Sequence, residues 1–181
     1  MDPVLQSVAS AALDATGAAA SWVLALEGGT LRAVGAAGER AGQLVGAQMP
    51  AGSGTAGYVI SSGQPLALAP RGSDARLAGG LGAHLGRRPT SVLCVPCLRD
   101  DVVLGALELV DKAGGAPFTF DDVDVVTLLA GIAGVALDVA GTEVPARPPA
   151  EFGAELAHLA SSDPAAYARL SVVLEALLAR G

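Results

Sequence analysis

The sequence predicts an α+β domain in which long helices from the two ends pack together beside an antiparallel sheet. Three observations lead to this fold class. Helical patterns open and close the first 141 residues, two pairs of strand patterns lie between them, and a short turn joins the strands of each pair. Strands that are joined by short turns run antiparallel.

The first elements are a helix and a hairpin. Apolar residues recur at helical spacing over 4–13, and Gly17 is well placed to end that helix. Strand patterns at 21–26 and 31–34 flank the turn Glu27-Gly-Gly-Thr30, whose glycines permit a tight reversal. The antiparallel sheet is therefore expected to begin here.

The middle of the chain has an unusual composition. Residues 41–70 carry no charge, and we interpret them as buried and pocket-forming. A short helix is predicted at 55–61, ended by Gly63, with a brief strand at 66–68. The glycine-rich stretch 71–89 is predicted to be an irregular loop, and loops of that length are usually functional or mobile.

A second hairpin and a long helix follow. Strands at 91–98 and 102–110 are joined at Arg99-Asp-Asp101, and a helix is predicted over 120–140 with acidic residues at its positive N-terminal end. The stripe predicted to form the buried face of that helix consists of Val125, Leu128, Leu129, Ile132, Val135 and Ala136.

The end of the chain is expected to be separate. We predict a domain at 1–141, a proline-rich linker at 142–150 and a C-terminal helical extension at 151–181. Asp163 is predicted to cap the last helix, with Pro164 at its first position. An apolar stripe on this helix needs another helix as a partner, either in the same chain or in a second copy: Tyr167, Leu170, Leu174, Leu177 and Leu178.

Charge and hydropathy exclude some functions. The formal net charge of −7 repels phosphate backbones, so we expect no nucleic-acid binding. The most apolar helical run, 125–137, is shorter than the ~20 residues that a bilayer needs, and the N-terminus lacks the basic residues of a secretion signal. We therefore predict a cytoplasmic protein without a membrane partner.

Five stretches together resemble the GAF domain family of small-molecule-binding and signalling modules. Their order and spacing carry the resemblance, which extends over about 4–140: PAGSGTAGYV at 50–59, GQPL at 63–66, SVLCVP at 91–96, LGAL at 104–107 and FTFDD at 118–122. The resemblance implies a PAS-related fold with a central antiparallel sheet of about six strands. It also implies a pocket between one face of the sheet and the middle segment, and homodimerisation through terminal helices.

The resemblance does not identify the ligand. Family members that bind cyclic nucleotides carry an Asn-Lys, Phe, Asp-Glu signature, and the matching places here read Asp111-Lys112, Phe118 and Asp122-Val123. The two departures disfavour cyclic GMP or AMP. Arginine and histidine side chains before the second hairpin could hold an anion through charge-assisted hydrogen bonds. The candidate ligand-binding residues are Trp22, Tyr58, Asp74, His84, Arg87, Arg88, Ser91 and Cys94.

Two further motifs invite other interpretations. Gly52, Gly54 and Gly57 match a dinucleotide fingerprint, but Pro50 interrupts the strand that should precede it. In a strand, Cys94 and Cys97 would lie ~10 Å apart on opposite faces, beyond the ~7 Å limit for a disulfide. We therefore expect two reduced thiols, no metal site and no cofactor.

The function predicted from these residues is non-catalytic sensing in signal transduction: a small molecule in the pocket biases the packing of the terminal helices, which form dimer contacts and contact a signalling protein partner. No nucleophile, base and orienting group occur together at motif spacing. Two alternatives remain. The first is an enzyme resembling the GAF-fold free methionine sulfoxide reductases, which use several cysteines. The second is a purely structural dimerisation module.

Overall fold

The computed structural model describes residues 2–69, 80, 86, 88–141, 149–164, 166–168 and 170–171. The chain divides into two compact units, Met1–Gly141 and Thr142–Gly181. The first unit contains, in order, α1 (Pro3–Thr16), β1 (Ala18–Glu27), β2 (Thr30–Gly38), α2 (Ala41–Leu44), β3 (Gln48–Pro50), α3 (Gly54–Ser62), β4 (Leu66–Leu68), β5 (Val92–Arg99), β6 (Val102–Lys112) and α4 (Phe120–Gly141). In the second unit, α5 spans Pro149–Ser162 and so starts inside the stretch that was predicted to be a linker.

The first unit is built on one six-stranded sheet. The strand order is β3-β2-β1-β6-β5-β4, and every neighbouring pair is antiparallel. The predicted hairpins are β1–β2 and β5–β6. Asp100 and Asp101 turn the second hairpin with positive φ angles, which aspartate tolerates better than most residues. The predicted α+β class is confirmed.

The ends of α1 explain why the first helix forms where it does. The Asp2 side chain accepts a hydrogen bond from the backbone N–H of Val4 at 2.7 Å, which satisfies one of the free donors of the first turn. Gly17 ends the helix in the left-handed conformation, and its N–H donates to the Leu13 carbonyl. The buried residues Leu5, Val8 and Ala12 then face the sheet.

Two hydrophobic cores lie on the two faces of the sheet. We call the face covered by α1 and α4 the helical face; its core includes Val8, Leu107 and Ala130. We call the other the α3 face, because α3 packs there on β5 and β6; its core includes Trp22 and Leu44. The alternation of side chains along each strand separates the two cores.

The orientation of α4 corrects the sequence-based expectation. Of the predicted buried stripe, Val125, Leu128, Ile132 and Val135 are exposed, and Leu129 and Ala136 are only partly buried. The buried face is instead formed by smaller residues, which are Val126, Ala130, Ala133, Gly134 and Leu137. A Cβ at Gly134 would lie 2.1 Å from the carbonyl oxygen of Leu98, so the helix approaches β5 closely and requires small side chains there.

Among the described residues, α4 is the one helix that is long and apolar enough to cross a membrane by length and composition. This differs from the expectation based on the shorter run 125–137. The helix nevertheless belongs to the folded unit, because Val126, Ala130 and Leu137 pack in the core of the helical face. A core helix of a soluble protein meets the same criteria, so the observation is weak evidence for a membrane segment.

In the second unit, Asp163 caps a helix as predicted. Its side chain accepts a hydrogen bond from the backbone N–H of Ala166 at 2.9 Å. Of the predicted stripe, Tyr167 and Leu170 are partly exposed. Leu174, Leu177 and Leu178 lie outside the described residues.

Candidate functional site

A buried carboxylate stands at the centre of the α3 face. Glu108 of β6 is paired with Trp22 of β1 on one side and with Cys94 of β5 on the other. Directly opposed residues of neighbouring strands point to the same face of a sheet. Trp22, Glu108 and Cys94 therefore form one row across three adjacent strands, which we call the Glu108 row, and all three are buried.

Each oxygen of Glu108 receives a hydrogen bond. The indole Nε1–H of Trp22 donates to Oε2 at 3.0 Å, and the hydroxyl of Thr55 donates to Oε1. Burial raises the pKa of Glu108 above its ordinary value, and the bonds from Thr55 and Trp22 partly offset that rise. The site thus holds a carboxyl group in a place that disfavours its charged form.

Thr55 lies in the first turn of α3, so its hydrogen bond to Glu108 fixes this helix to the sheet. The loop before α3 is tight: a Cβ at Gly57 would lie 2.3 Å from the carbonyl carbon of Gly52. Glycine at position 57 therefore permits the turn that brings Thr55 over Glu108. The preceding strand, Gln48–Pro50, is short and antiparallel to its neighbour, so the parallel strand-turn-helix unit of dinucleotide-binding folds is not formed at these glycines.

The two cysteines lie on opposite faces of the sheet, as predicted. Both are buried free thiols. Cys94 belongs to the core of the α3 face and Cys97 to the core of the helical face. Burial raises the pKa of Cys97 to about 12 and raises that of Cys94 well above its ordinary value, where the Glu108 carboxylate adds to the effect. Both positions disfavour the reactive thiolate.

The predicted ligand-binding residues fall into three groups. Trp22 and Cys94 are brought together in the Glu108 row. Ser91 is also buried, and its hydroxyl accepts a hydrogen bond from the Lys112 N–H at 2.9 Å. Tyr58 on α3 is 46% exposed, Arg88 is exposed, and neither belongs to the row. The remaining three, Asp74, His84 and Arg87, lie outside the described residues.

Sequence reasoning missed Glu108 and Thr55. A signal for Glu108 was present, since it is the only charged residue between Val102 and Val110 and has the strand parity of the buried Ala106. A lone carboxylate on the inward face of a strand indicates a partnered buried group. Thr55 gave no comparable signal, because its role depends on where the glycine turn places α3.

A second polar cluster joins β6 to the start of α4. Lys112 forms an ion pair with Asp122, and its Nζ lies 6.0 Å from the centre of the Phe118 ring. Asp122 also accepts a bond from the Thr119 N–H at 2.6 Å. Burial raises the pKa of Asp122, but the bonds from Lys112 and Thr119 outweigh it, and the pKa lies below its ordinary value. Lys112, Phe118 and Asp122 thus meet at the start of α4, where Thr119 and Asp122 exchange hydrogen bonds across the first turn.

Among the described residues, no group of three or more histidine, cysteine, aspartate and glutamate side chains could hold a metal ion. The Glu108 row offers one carboxylate and one thiol, with the carboxylate already bonded on both oxygens. Glu108 can therefore hold α3 in place through Thr55. Its protonation would change if Thr55 or Trp22 no longer donated a hydrogen bond to it.

The fold is that of an α+β domain in which helices cover both faces of a six-stranded antiparallel sheet. The profile of the GAF domain family matches residues 1–138, and the chain belongs to that family. The predicted family resemblance is therefore confirmed. GAF domains are sensory, small-molecule-binding modules that occur in signalling proteins.

Individual relatives agree with this assignment. The GAF-B domain of DevS from Mycobacterium smegmatis superposes with a TM-score of 0.59 at 26% identity, over 77% of this chain and 94% of that structure. A type II free methionine-R-sulfoxide reductase from Thermoplasma acidophilum is similar with a TM-score of 0.59 at 14% identity, over 73% of this chain and 88% of that structure, which supports the shared fold alone.

A curated relative matches over a shorter stretch. A probable 3',5'-cyclic phosphodiesterase, pde-5, of Caenorhabditis elegans is 33% identical over 84 residues, or 46% of this chain. The match spans 11% of the length of that relative.

Proposed function

We propose that this chain is a non-catalytic, cytoplasmic sensor that binds a small molecule on the α3 face and acts in signal transduction through homodimer contacts of its terminal helices. The observation that carries the proposal is the Glu108 row. Burying a carboxylate costs stability even when both oxygens accept hydrogen bonds, and ionisable groups held at such a cost are found preferentially at functional sites. Here it links the ligand-side helix α3 to the centre of the sheet.

We place the proposed pocket on the α3 face, beside the charge-free middle segment 41–70 that the sequence predicts to be pocket-forming. Its proposed contacts are Trp22, Tyr58, Asp74, His84, Arg87, Arg88, Ser91 and Cys94. Two arginines and a histidine among these contacts favour an anionic ligand, because charge-assisted hydrogen bonds are the stronger ones. A ligand that displaces α3 would break the Thr55–Glu108 bond, and a signal would thereby reach the sheet.

Trp22 provides a direct assay, because it is the only tryptophan of the chain. We expect its fluorescence emission to shift when a ligand binds, and the melting temperature to rise. Ligand at a hundred times its dissociation constant adds about 2.7 kcal/mol of stability. The panel for the full chain contains nucleotides, including cyclic ones, organic anions and small metabolites.

Paired variants locate the binding. Arg88→Gln should weaken a response to an anionic ligand by about tenfold, the effect of about 1.4 kcal/mol. Arg32→Gln removes the same charge from the β1–β2 hairpin, where Arg32 pairs with Glu27, and should leave the response unchanged. A panel without any response would count against the sensor and favour the structural dimerisation module.

The reductase is the alternative from another functional class. Two observations support this alternative: the pair of free thiols and the fold shared with the Thermoplasma enzyme. Against it stand the separation of Cys94 and Cys97 on opposite faces and the raised pKa of both thiols. Turnover of free methionine sulfoxide, with loss of titratable thiols after oxidant treatment, would replace the sensor proposal with the enzyme.

A further inference from the structure

A cleft opens at the edge of the sheet, where α1, β2 and α2 meet. Its volume is about 400 Å³, and ligand pockets commonly measure about 300–1,000 Å³. The residues that line it are all uncharged: Gln6, Ser10, Ala36, Ala37, Gly38, Ala41, Gly42 and Val45. None of them is among the proposed contacts of the ligand on the α3 face. Recognition in this cleft therefore rests on hydrogen bonds and shape.

The cleft contains a strand edge whose pairing stops early. β3 pairs with residues 30–32 of β2, and the Ala33 backbone then bonds to Gly46 and Ala47. In the described part of the chain, no strand continues this pairing along β2 to Gly38. The backbone N–H and C=O groups of such an edge can pair with another extended segment.

The Gln6 side chain already imitates a segment of this kind. Its amide donates from Nε2 to the Ala36 carbonyl at 2.7 Å and accepts from the Ala36 N–H at 3.2 Å. A residue of a neighbouring antiparallel strand makes the same pair of bonds with the residue opposite it. The carboxamide also offers the same donor and acceptor types as a peptide group. The edge at Ala36 is thus arranged to hold an amide.

Two glycines of β2 allow α1 to come close enough for this contact. A Cβ at Gly35 would lie 2.7 Å from the carbonyl oxygen of Leu5, and one at Gly38 would meet the side chain of Leu13. Larger residues at these positions would push α1 away from β2. The placement of Gln6 on the strand edge therefore depends on the small residues of β2.

We propose that this cleft binds an extended peptide segment, which replaces the Gln6 amide at Ala36 and adds as a strand to the edge of β2. Several peptide-recognition domains bind their targets by such strand addition, with affinity from main-chain hydrogen bonds. The uncharged lining favours a segment of uncharged residues, because it offers no ionic partner to a charged side chain. The inference goes beyond the proposed sensor function and does not depend on it.

Two-dimensional ¹H–¹⁵N NMR of the full chain tests the proposal. The probe is the acetylated and amidated pentapeptide Thr-Val-Thr-Val-Thr, whose β-branched residues favour an extended conformation. We expect saturable shifts of the amide signals of Ala36 and Gly38. The same peptide with N-methylated backbone amides lacks the donors for strand pairing and should leave these signals in place. Equal shifts with both peptides, or no shift with either, would overturn the proposal.

Substitution of Gln6 should have the opposite sign to a loss of structure. Gln6→Ala removes the competing amide, so the pentapeptide should bind about fivefold more tightly, the effect of about one net hydrogen bond. Weaker binding to this variant would contradict the replacement of the Gln6 amide by the peptide.

A variant that fills the cleft should block binding. A Cβ at Gly42 meets no atom within 4 Å, so Gly42→Leu can be accommodated, and its side chain should weaken peptide binding by about tenfold or more. Gly131→Leu is the matched control, because Gly131 has the same open space on the exposed side of α4, and it should leave binding unchanged. Equal affinities of the two leucine variants would place the peptide outside the cleft and refute the proposal.

Discussion

The two faces of the sheet are built from different chemistry. The helical face is packed with aliphatic side chains, and among the described residues Ser21 is the one that holds a buried side-chain oxygen or nitrogen without a hydrogen-bond partner. The α3 face buries Trp22, Cys94 and Glu108, and its carboxylate is bonded on both oxygens. Both faces belong to the same six strands, so the difference lies in the alternate residues of each strand.

The comparison separates a face that stabilises the domain from a face that can transmit a signal. Aliphatic packing against α1 and α4 raises the free energy of unfolding, and it does so without directional bonds. Hydrogen bonds to a buried carboxylate are directional, and losing one partner leaves a desolvated group unpaired. A ligand bound near α3, as we propose, would therefore meet a switchable contact on its own side of the sheet, while the other side holds the strands together.

The largest expected effect concerns the close approach of α4 to the sheet. Gly134→Ala should lower the free energy of unfolding by about 3 kcal/mol, because its Cβ would lie 2.1 Å from the Leu98 carbonyl oxygen and the helix would have to shift. Urea unfolding of the full chain measures the change.

Gly131→Ala is the matched control on the same helix. A Cβ at Gly131 has open space, so alanine should stabilise by about 0.5–1 kcal/mol through its higher helix propensity. Equal effects of the two substitutions would contradict the packing of α4 on β5.

The next effect concerns the α3 face. Thr55→Val keeps the shape of the side chain but leaves Oε1 of Glu108 without its donor, and should cost about 2 kcal/mol of stability. Thr127→Val removes an exposed hydroxyl that donates to the Val123 carbonyl at 2.7 Å, and should change stability by less than about 0.5 kcal/mol. A Thr55→Val variant as stable as the wild type would mean that α3 is not held by this bond.

The pH dependence of Glu108 gives a smaller effect with a definite sign. The folded pKa is raised above the ordinary value of 4.5, so the buried group binds its proton more tightly than the unfolded chain does. Stability from this group is thus fully present below pH 4.5 and is lost as the pH rises through the folded pKa. The loss is about 1.4 kcal/mol for each unit by which the folded pKa exceeds the unfolded one.

Glu108→Gln isolates the contribution of Glu108 to the pH dependence of stability. The amide stays neutral, and it can accept a hydrogen bond from Trp22 while donating one to Thr55. Urea unfolding at several pH values from 4.5 to 8 should show the variant gaining stability relative to the wild type as the pH rises. A stability difference that is constant over this range would contradict the assignment of the shift to Glu108.

The sequence predicted the order and type of the elements well, because hairpin turns and helix ends depend on local residues such as Gly17 and the pair Asp100-Asp101. The face of α4 could not be predicted in the same way. Its most apolar side, with Leu128 and Ile132, is exposed. The helix packs so close to β5 that only small residues such as Gly134 fit on the buried side. The Glu108 row depends on strand register and on the placement of α3, which no short stretch of sequence contains.

The smallest expected effect concerns Ser21, which among the described residues holds the one buried hydroxyl without a hydrogen-bond partner. Ser21 is paired with Ala37 and Leu109, both in the aliphatic core, and its Oγ has no partner among the described residues. Burying a hydroxyl without a hydrogen bond is unfavourable, so Ser21→Ala should stabilise the domain by about 1 kcal/mol in urea unfolding. Ser91→Ala, which removes the acceptor of the Lys112 N–H, should instead destabilise by a similar amount. If Ser21→Ala were destabilising, the helical face would contain a polar contact, and the contrast between the two faces would be weaker than the structure indicates.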